Sequence, residues 1–120
     1  MSPARLKAAC LSHNGSEETF PFNPETSVFK VAGKMFALSA LGADELRISL
    51  KCDPGLAEQL RDAYEAIGPG YHLNKRHWNT VVVDGVPAGL LGDMIEDSYD
   101  LVVEKLPRKT RNRLGWSGER

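Results

Sequence analysis

The sequence predicts an α+β domain in which one antiparallel sheet carries its helices on a single face. Leu46, Ile48, Leu50 and Cys52 alternate with Arg47, Ser49 and Lys51, the period-two pattern of a strand with one face in the core and one in water. Leu90, Leu91, Met94, Ile95, Ser98, Leu101, Val102 and Leu106 recur at three- and four-residue spacing, the strongest helical period in the chain. The order of elements is helix, three strands, helix, one or two strands, helix.

Local chemistry justifies each element in turn. Ser2 is an N-cap and Pro3 a first helical residue, and Leu6, Ala9, Cys10 and His13 follow at helical spacing, so a short helix is expected over 3–13, ended by Asn14-Gly15-Ser16. Phe20-Pro21-Phe22-Asn23-Pro24 is barred from a central strand by its two prolines, and its phenylalanines are expected to cover one edge of the core. Residues 27–31 and 34–39 form a hairpin around Ala32-Gly33. A two-residue loop pairs Val31 with Lys34 and sets Phe29 opposite Phe36. Phe29, Val31, Phe36 and Leu38 then share one face, and Val28, Lys30, Met35 and Ala37 the other. After the alternating strand, Asp53-Pro54 opens a helix with an apolar stripe of Leu56, Leu60, Ala63, Tyr64 and Ile67, stopped by Gly68-Pro69-Gly70. Val81, Val82 and Val83 read as a buried strand, Asp84-Gly85 as a turn, and Pro87 to Pro107 brackets the last helix.

At 120 residues the chain is long enough for one domain with its own core, expected over residues 1–107. Apolar content of 42% and charged content of 26% are ordinary for a globular protein, and no apolar run is long enough to suggest a membrane span. Residues 1–7 lack the apolar stretch of a secretory signal, so a cytoplasmic protein without a membrane partner is expected. Cys10 and Cys52 are then expected as thiols rather than a disulfide. The net charge of −1 is unevenly spread. Residues 104–120 hold six cations against two acids, a charge of +4, which leaves −5 on residues 1–103. Residues 108–120 are expected to be a basic, mobile tail.

Twelve residues stand apart from this pattern. Pro69-Gly70-Tyr71-His72-Leu73-Asn74-Lys75-Arg76-His77-Trp78-Asn79-Thr80 concentrates aromatic, basic and amide side chains at the leading end of the valine strand. It closely resembles the signature of the MmcQ/YjbR family. The resemblance extends to Phe20-Pro21-Phe22-Asn23-Pro24, Val28-Phe29-Lys30-Val31, Gly33-Lys34-Met35-Phe36-Ala37-Leu38, Ser49-Leu50-Lys51-Cys52-Asp53-Pro54 and Ser98-Tyr99-Asp100-Leu101-Val102, covering roughly Ala4 to Pro107. It implies a CyaY-like (bacterial frataxin-like) fold, also described as a double-wing DNA-binding fold. A frataxin-like iron role is not expected, because the first helix carries Arg5 and Lys7 and no acid.

The residues favour binding over catalysis. There is no Gly-rich phosphate loop, no zinc-spaced Cys/His cluster and no nucleophile elbow, so no cofactor, metal or catalytic residue is expected. Lys75 and Arg76 suit phosphates, and Asn74 and Asn79 suit phosphates or base edges. Tyr71, His77 and Trp78 suit stacking on an exposed base. In a hairpin, Asn74 to His77 forms the tip, and Arg108, Lys109, Arg111 and Arg113 supply further phosphate contacts from the tail. The expected function is that of a small non-catalytic DNA-binding or accessory protein, weak and non-specific. Structural duty is the competing reading: Trp78 and Tyr71 packing on the final helix, Asn74 closing its turn. The alternative function is a protein- or ligand-binding module, homodimeric through the face holding Val28, Lys30, Met35 and Ala37.

Overall fold

The computed structural model describes residues 1–70 and 72–116. In chain order these form α1 (Pro3–Leu11), β1 (Ser16–Thr19), β2 (Ser27–Val31), β3 (Lys34–Ser39), β4 (Arg47–Lys51), α2 (Pro54–Ala63), β5 (Ile67–Pro69), β6 (Trp78–Val82), a 3-10 turn (Val83–Gly85), α3 (Ala88–Val103) and α4 (Arg108–Arg113). One antiparallel six-stranded sheet runs in the order β1-β2-β3-β4-β6-β5. The α+β architecture is therefore the one the periodicities predict, with two additional edge strands and a fourth helix.

The caps are those the sequence calls for. The Ser2 hydroxyl accepts from the Arg5 amide at 3.2 Å, and the Asp53 carboxylate accepts from the Leu56 amide at 3.3 Å, each just ahead of a helix-opening proline. On α3, Leu91, Met94, Ile95, Ser98, Tyr99, Val102 and Val103 are buried. They meet Phe29, Val31, Phe36, Ala37, Ile48, Leu50 and Val81 from the sheet and Leu6 and Cys10 from α1. All four helices lie on this side: α2 reaches it through Leu60 and Tyr64, and α4 through Leu114. Burial of the α2 stripe differs from expectation. Ala57 is buried while Leu56 is 38% exposed, and Ile67 belongs to β5, because the helix ends at Ala63.

The β2–β3 register corrects the expected pairing. Val31 pairs with Lys34 and Lys30 with Met35, but Phe29 then pairs with Ala37, which leaves Phe36 as the extra residue of a bulge. Ala37 thereby turns to the core face, and Leu38 shares the opposite face with Val28. The cause is visible at Phe36. Its carbonyl accepts from the Ser98 hydroxyl of α3, and that hydroxyl accepts in turn from the Lys51 amide at 2.8 Å. A helix side chain thus stands in for a rung between β3 and β4, whose paired residues are Ala37 with Leu50 and Leu38 with Ser49.

Two further expectations are corrected. Phe20 and Phe22 are 51% and 68% exposed rather than laid over the core edge. Asn23 closes a turn there by accepting from the Glu25 and Thr26 amides, which points the flanking segment outward. Over residues 108–116 the segment after Pro107 is structured rather than an extended tail. It forms α4 and docks on the rest of the domain: Leu114 packs where Gly15 leaves room, the Leu114 carbonyl accepts from the Asn14 side chain, and the Trp116 indole N–H donates to Asp100 at 2.9 Å. Residues 117–120 lie outside the described residues.

Candidate nucleic-acid interface

The chain leaves edge strand β5 at Pro69 and returns as β6 at Trp78, so residues 70–77 are a hairpin connection. Close approach at its base dictates a glycine. The Gly70 amide donates to the Trp78 carbonyl at 2.8 Å, and a Cβ at position 70 would stand 2.6 Å from that of Trp78. His72 takes a positive φ of 58°, which turns the chain. Asn74 then builds the tip: its carbonyl accepts from the His77 amide at 3.2 Å and its side-chain oxygen from the Arg76 amide at 3.0 Å. Arg61 of α2 holds the tip from behind, donating to the Lys75 carbonyl at 3.2 Å. Asn74, Lys75 and Arg76 are exposed on this hydrogen-bonded turn. Neither Lys75 nor Arg76 is in an ion pair among the described residues.

The remaining residues of the segment divide. His77 is half-buried, and its carbonyl accepts from the Cys52 amide at 2.7 Å. Trp78 is 9% exposed and Asn79 is 0% exposed, so neither presents a free surface, which corrects their expected role in contacting nucleic acid. The reason is β6 itself, an internal strand between β4 and β5. Asn79 faces α2 and donates to the Ala57 carbonyl at 3.4 Å, while Trp78 backs onto Gly70. Tyr71 lies outside the described residues. On α4, Arg108, Lys109 and Arg113 are exposed, whereas Arg111 is half-buried and donates to the Glu104 carbonyl at 3.3 Å. Arg111 therefore fixes α4 onto the end of α3.

Register brings these separate pieces to one end of the domain. Lys51 ends β4 beside Trp78, and the β2–β3 turn at Ala32-Gly33 projects from the same end. Ser98 ties the later half of α3 to Phe36 and Lys51, so the C-terminal turn of α3 and the start of α4 arrive there as well. Lys34, Lys51 and Lys105 join the basic set, a grouping that only the tertiary fold creates. Burial holds the Lys51 amine below the usual lysine range, with the Lys105 charge adding to this and Glu104 opposing it. At the other end, Glu45 and Asp84 stand on the connections before β4 and after β6, Glu45 paired with Arg47 and Asp84 at 3.8 Å from the N-terminal ammonium. Among the described residues no cluster of His, Cys, Asp and Glu has the arrangement of a metal site, and no helix is long and apolar enough to cross a membrane.

These features define a single-sheet α+β domain with a helix-covered face, a helix-free face and one basic end formed by turns and helix termini. The YjbR family model matches residues 11–101, and the chain belongs to that family. It is 42% identical over 103 residues to the uncharacterized protein YbdF of Escherichia coli O157:H7, covering 82% of this chain and 81% of that protein. It is 32% identical over 115 residues to the uncharacterized protein YjbR of Escherichia coli K12, covering 95% and 98% respectively. Among solved structures, Deinococcus radiodurans protein DR2400, a DUF419 domain, superposes with a TM-score of 0.91 at 45% identity, covering 99% of this chain and 91% of that one.

Proposed function

We propose that this protein is a small non-catalytic DNA-binding or accessory protein of the CyaY-like, double-wing type, working in the cytoplasm. The observation that carries the reading is the pair Lys75 and Arg76, exposed at the tip of a hairpin turn that Asn74 and Arg61 hold rigid. The second wing in this reading is the β2–β3 turn, which leads into Lys34 at the same end. Exposed Arg108, Lys109 and Arg113 on α4 add phosphate contacts. Binding of this kind is read from the phosphate backbone, so it is sequence-independent and weakens with salt.

The test is fluorescence anisotropy with labelled duplex across a salt series. About four or five phosphate contacts give a log–log slope near −4, and Lys75→Ala/Arg76→Ala reduces it by about two units. A double variant that binds duplex with wild-type affinity and slope would exclude the hairpin as the contact.

A second reading, a protein-binding module or homodimer, is favoured by the exposed Phe20 and Phe22, whereas Val28 of the expected interface face is fully buried and offers no contact. Light scattering separates it: a particle of about twice 13.2 kDa supports dimerisation, and a monomer at high concentration opposes it.

A further inference from the structure

Between the ends of β3 and β4 and the last turn of α3 lies a cleft of about 390 Å³ lined by Lys34, Met35, Lys51, Val102, Lys105 and Leu106. Its origin is the Ser98 seam. Where the hydroxyl replaces a direct rung, β3 and β4 cease to pair, and the side chains of Met35 and Lys51 border the opening. Three cations converge on it, and none of the three is in an ion pair among the described residues. Glu104 acts on Lys51 as an opposite charge, against the like charge of Lys105. The carbonyls closing α3 already have partners. Asp100, Val102 and Val103 accept from the Glu104, Lys105 and Leu106 amides, and Glu104 accepts from Arg111.

We infer that this cleft binds a small phosphate-bearing ligand of the nucleotide class. Lys34, Lys51 and Lys105 take the phosphates, and the wall of Met35, Val102 and Leu106 takes the organic part. A cleft of this size falls within the range of small-molecule sites, where an apolar wall supplies area and a few polar groups set orientation. Lysine contributes compact point charges suited to phosphate, and three of them gathered around one cleft repel one another at a Coulomb cost that a polyanion relieves. Methionine gives the wall a side chain that adapts to the shape of its occupant.

The inference shares Lys34 with the second wing of the DNA reading but does not depend on Lys75 and Arg76, the pair that carries that reading. Inorganic pyrophosphate and ATP are titrated by calorimetry at low salt into the full chain and into Lys51→Gln, Lys105→Gln and Lys75→Ala/Arg76→Ala. Expected is saturable one-site binding, ATP tighter than pyrophosphate, weakened about tenfold in each cleft variant and unchanged in the hairpin variant. Far-UV circular dichroism and thermal melting check that the cleft variants fold; Lys105→Gln alters an exposed residue beyond the end of α3 and keeps the test decisive if Lys51→Gln does not fold. No saturable binding of either probe, or binding that both folded cleft variants retain, would overturn the assignment. Cleft variants that lose duplex binding but keep ATP and pyrophosphate binding would transfer the three lysines to a DNA backbone and overturn the small-ligand assignment. Loss of duplex binding alone in the hairpin variant leaves it intact.

Discussion

Ser98 donates its hydroxyl to the backbone carbonyl of Phe36, so a side chain from α3 is built into the sheet at the bulge of β3. The bond is fully buried and spans the helix and sheet layers. Through the Lys51 amide it also reaches β4, making one hydroxyl the join of three elements and the edge of the lysine cleft.

Ser98→Ala leaves the Lys51 amide and the Phe36 carbonyl without this partner in a buried seam. A loss of about 2–4 kcal/mol is expected, from one or two unmatched polar groups. Urea unfolding reads it as a lower midpoint at unchanged slope. A loss under about 0.5 kcal/mol would show that the seam is not held by this hydroxyl.

His13 makes stability depend on pH in a defined direction. Its ring stacks on Tyr99 at 4.8 Å and meets Phe36 edge-on at 6.4 Å. Burial holds the imidazole below its ordinary 6.5, while Glu96 and Asp100 act the other way. The folded state thus favours the neutral ring, and the unfolded chain takes up the proton first. This contribution is fully present above 6.5 and is lost as pH falls from there toward the depressed folded value. Glu18, whose carboxyl is held low chiefly by the Ser27 hydroxyl, loses its contribution only further down, as pH falls below 4.5. Unfolding midpoints measured from about pH 8 to about pH 5 should decline in the wild type and flatten in His13→Phe. Equal declines in both would remove His13 as the cause.

Docking of α4 rests on Leu114 and Trp116. Leu114→Ala removes packing beside Gly15 and Val31, and Trp116→Phe removes the bond to Asp100. Hydrogen exchange followed by mass spectrometry should quicken about tenfold or more over residues 108–113 in either variant, with β2 and β4 unchanged. Unaltered protection in both would mean that other contacts seat the helix.

The central strands and the three longer helices were legible because apolar residues recur on their core faces, as in Leu46 to Cys52 and Leu90 to Leu106, although Ser49 on the other face of β4 is buried against Thr80 rather than in water. Edge strands carry no such imprint. Ser16-Glu17-Glu18-Thr19 is polar, and Ile67-Gly68-Pro69 contains a proline, tolerated because β5 pairs on one side. The bulge at Phe36 was hidden because its cause, Ser98, lies far along the chain. At the candidate site, Asn74, Lys75 and Arg76 were readable as a tip from local turn chemistry. Burial of Trp78 and Asn79 was not, since it depends on where β6 falls in the strand order. Lys34, Lys51 and Lys105 each look like an ordinary surface lysine until the tertiary fold brings them around one cleft.

The central claim is that one end of this domain is its binding end, and a titration of short duplex DNA into isotope-labelled protein, read by two-dimensional amide NMR, tests it most directly. The expected result is that shifts concentrate on 72–77, on the β2–β3 turn and on 105–113, and fade in Lys75→Ala/Arg76→Ala. An unchanged spectrum at low salt, or shifts centred on the opposite end around Glu45 and Asp84, would contradict it.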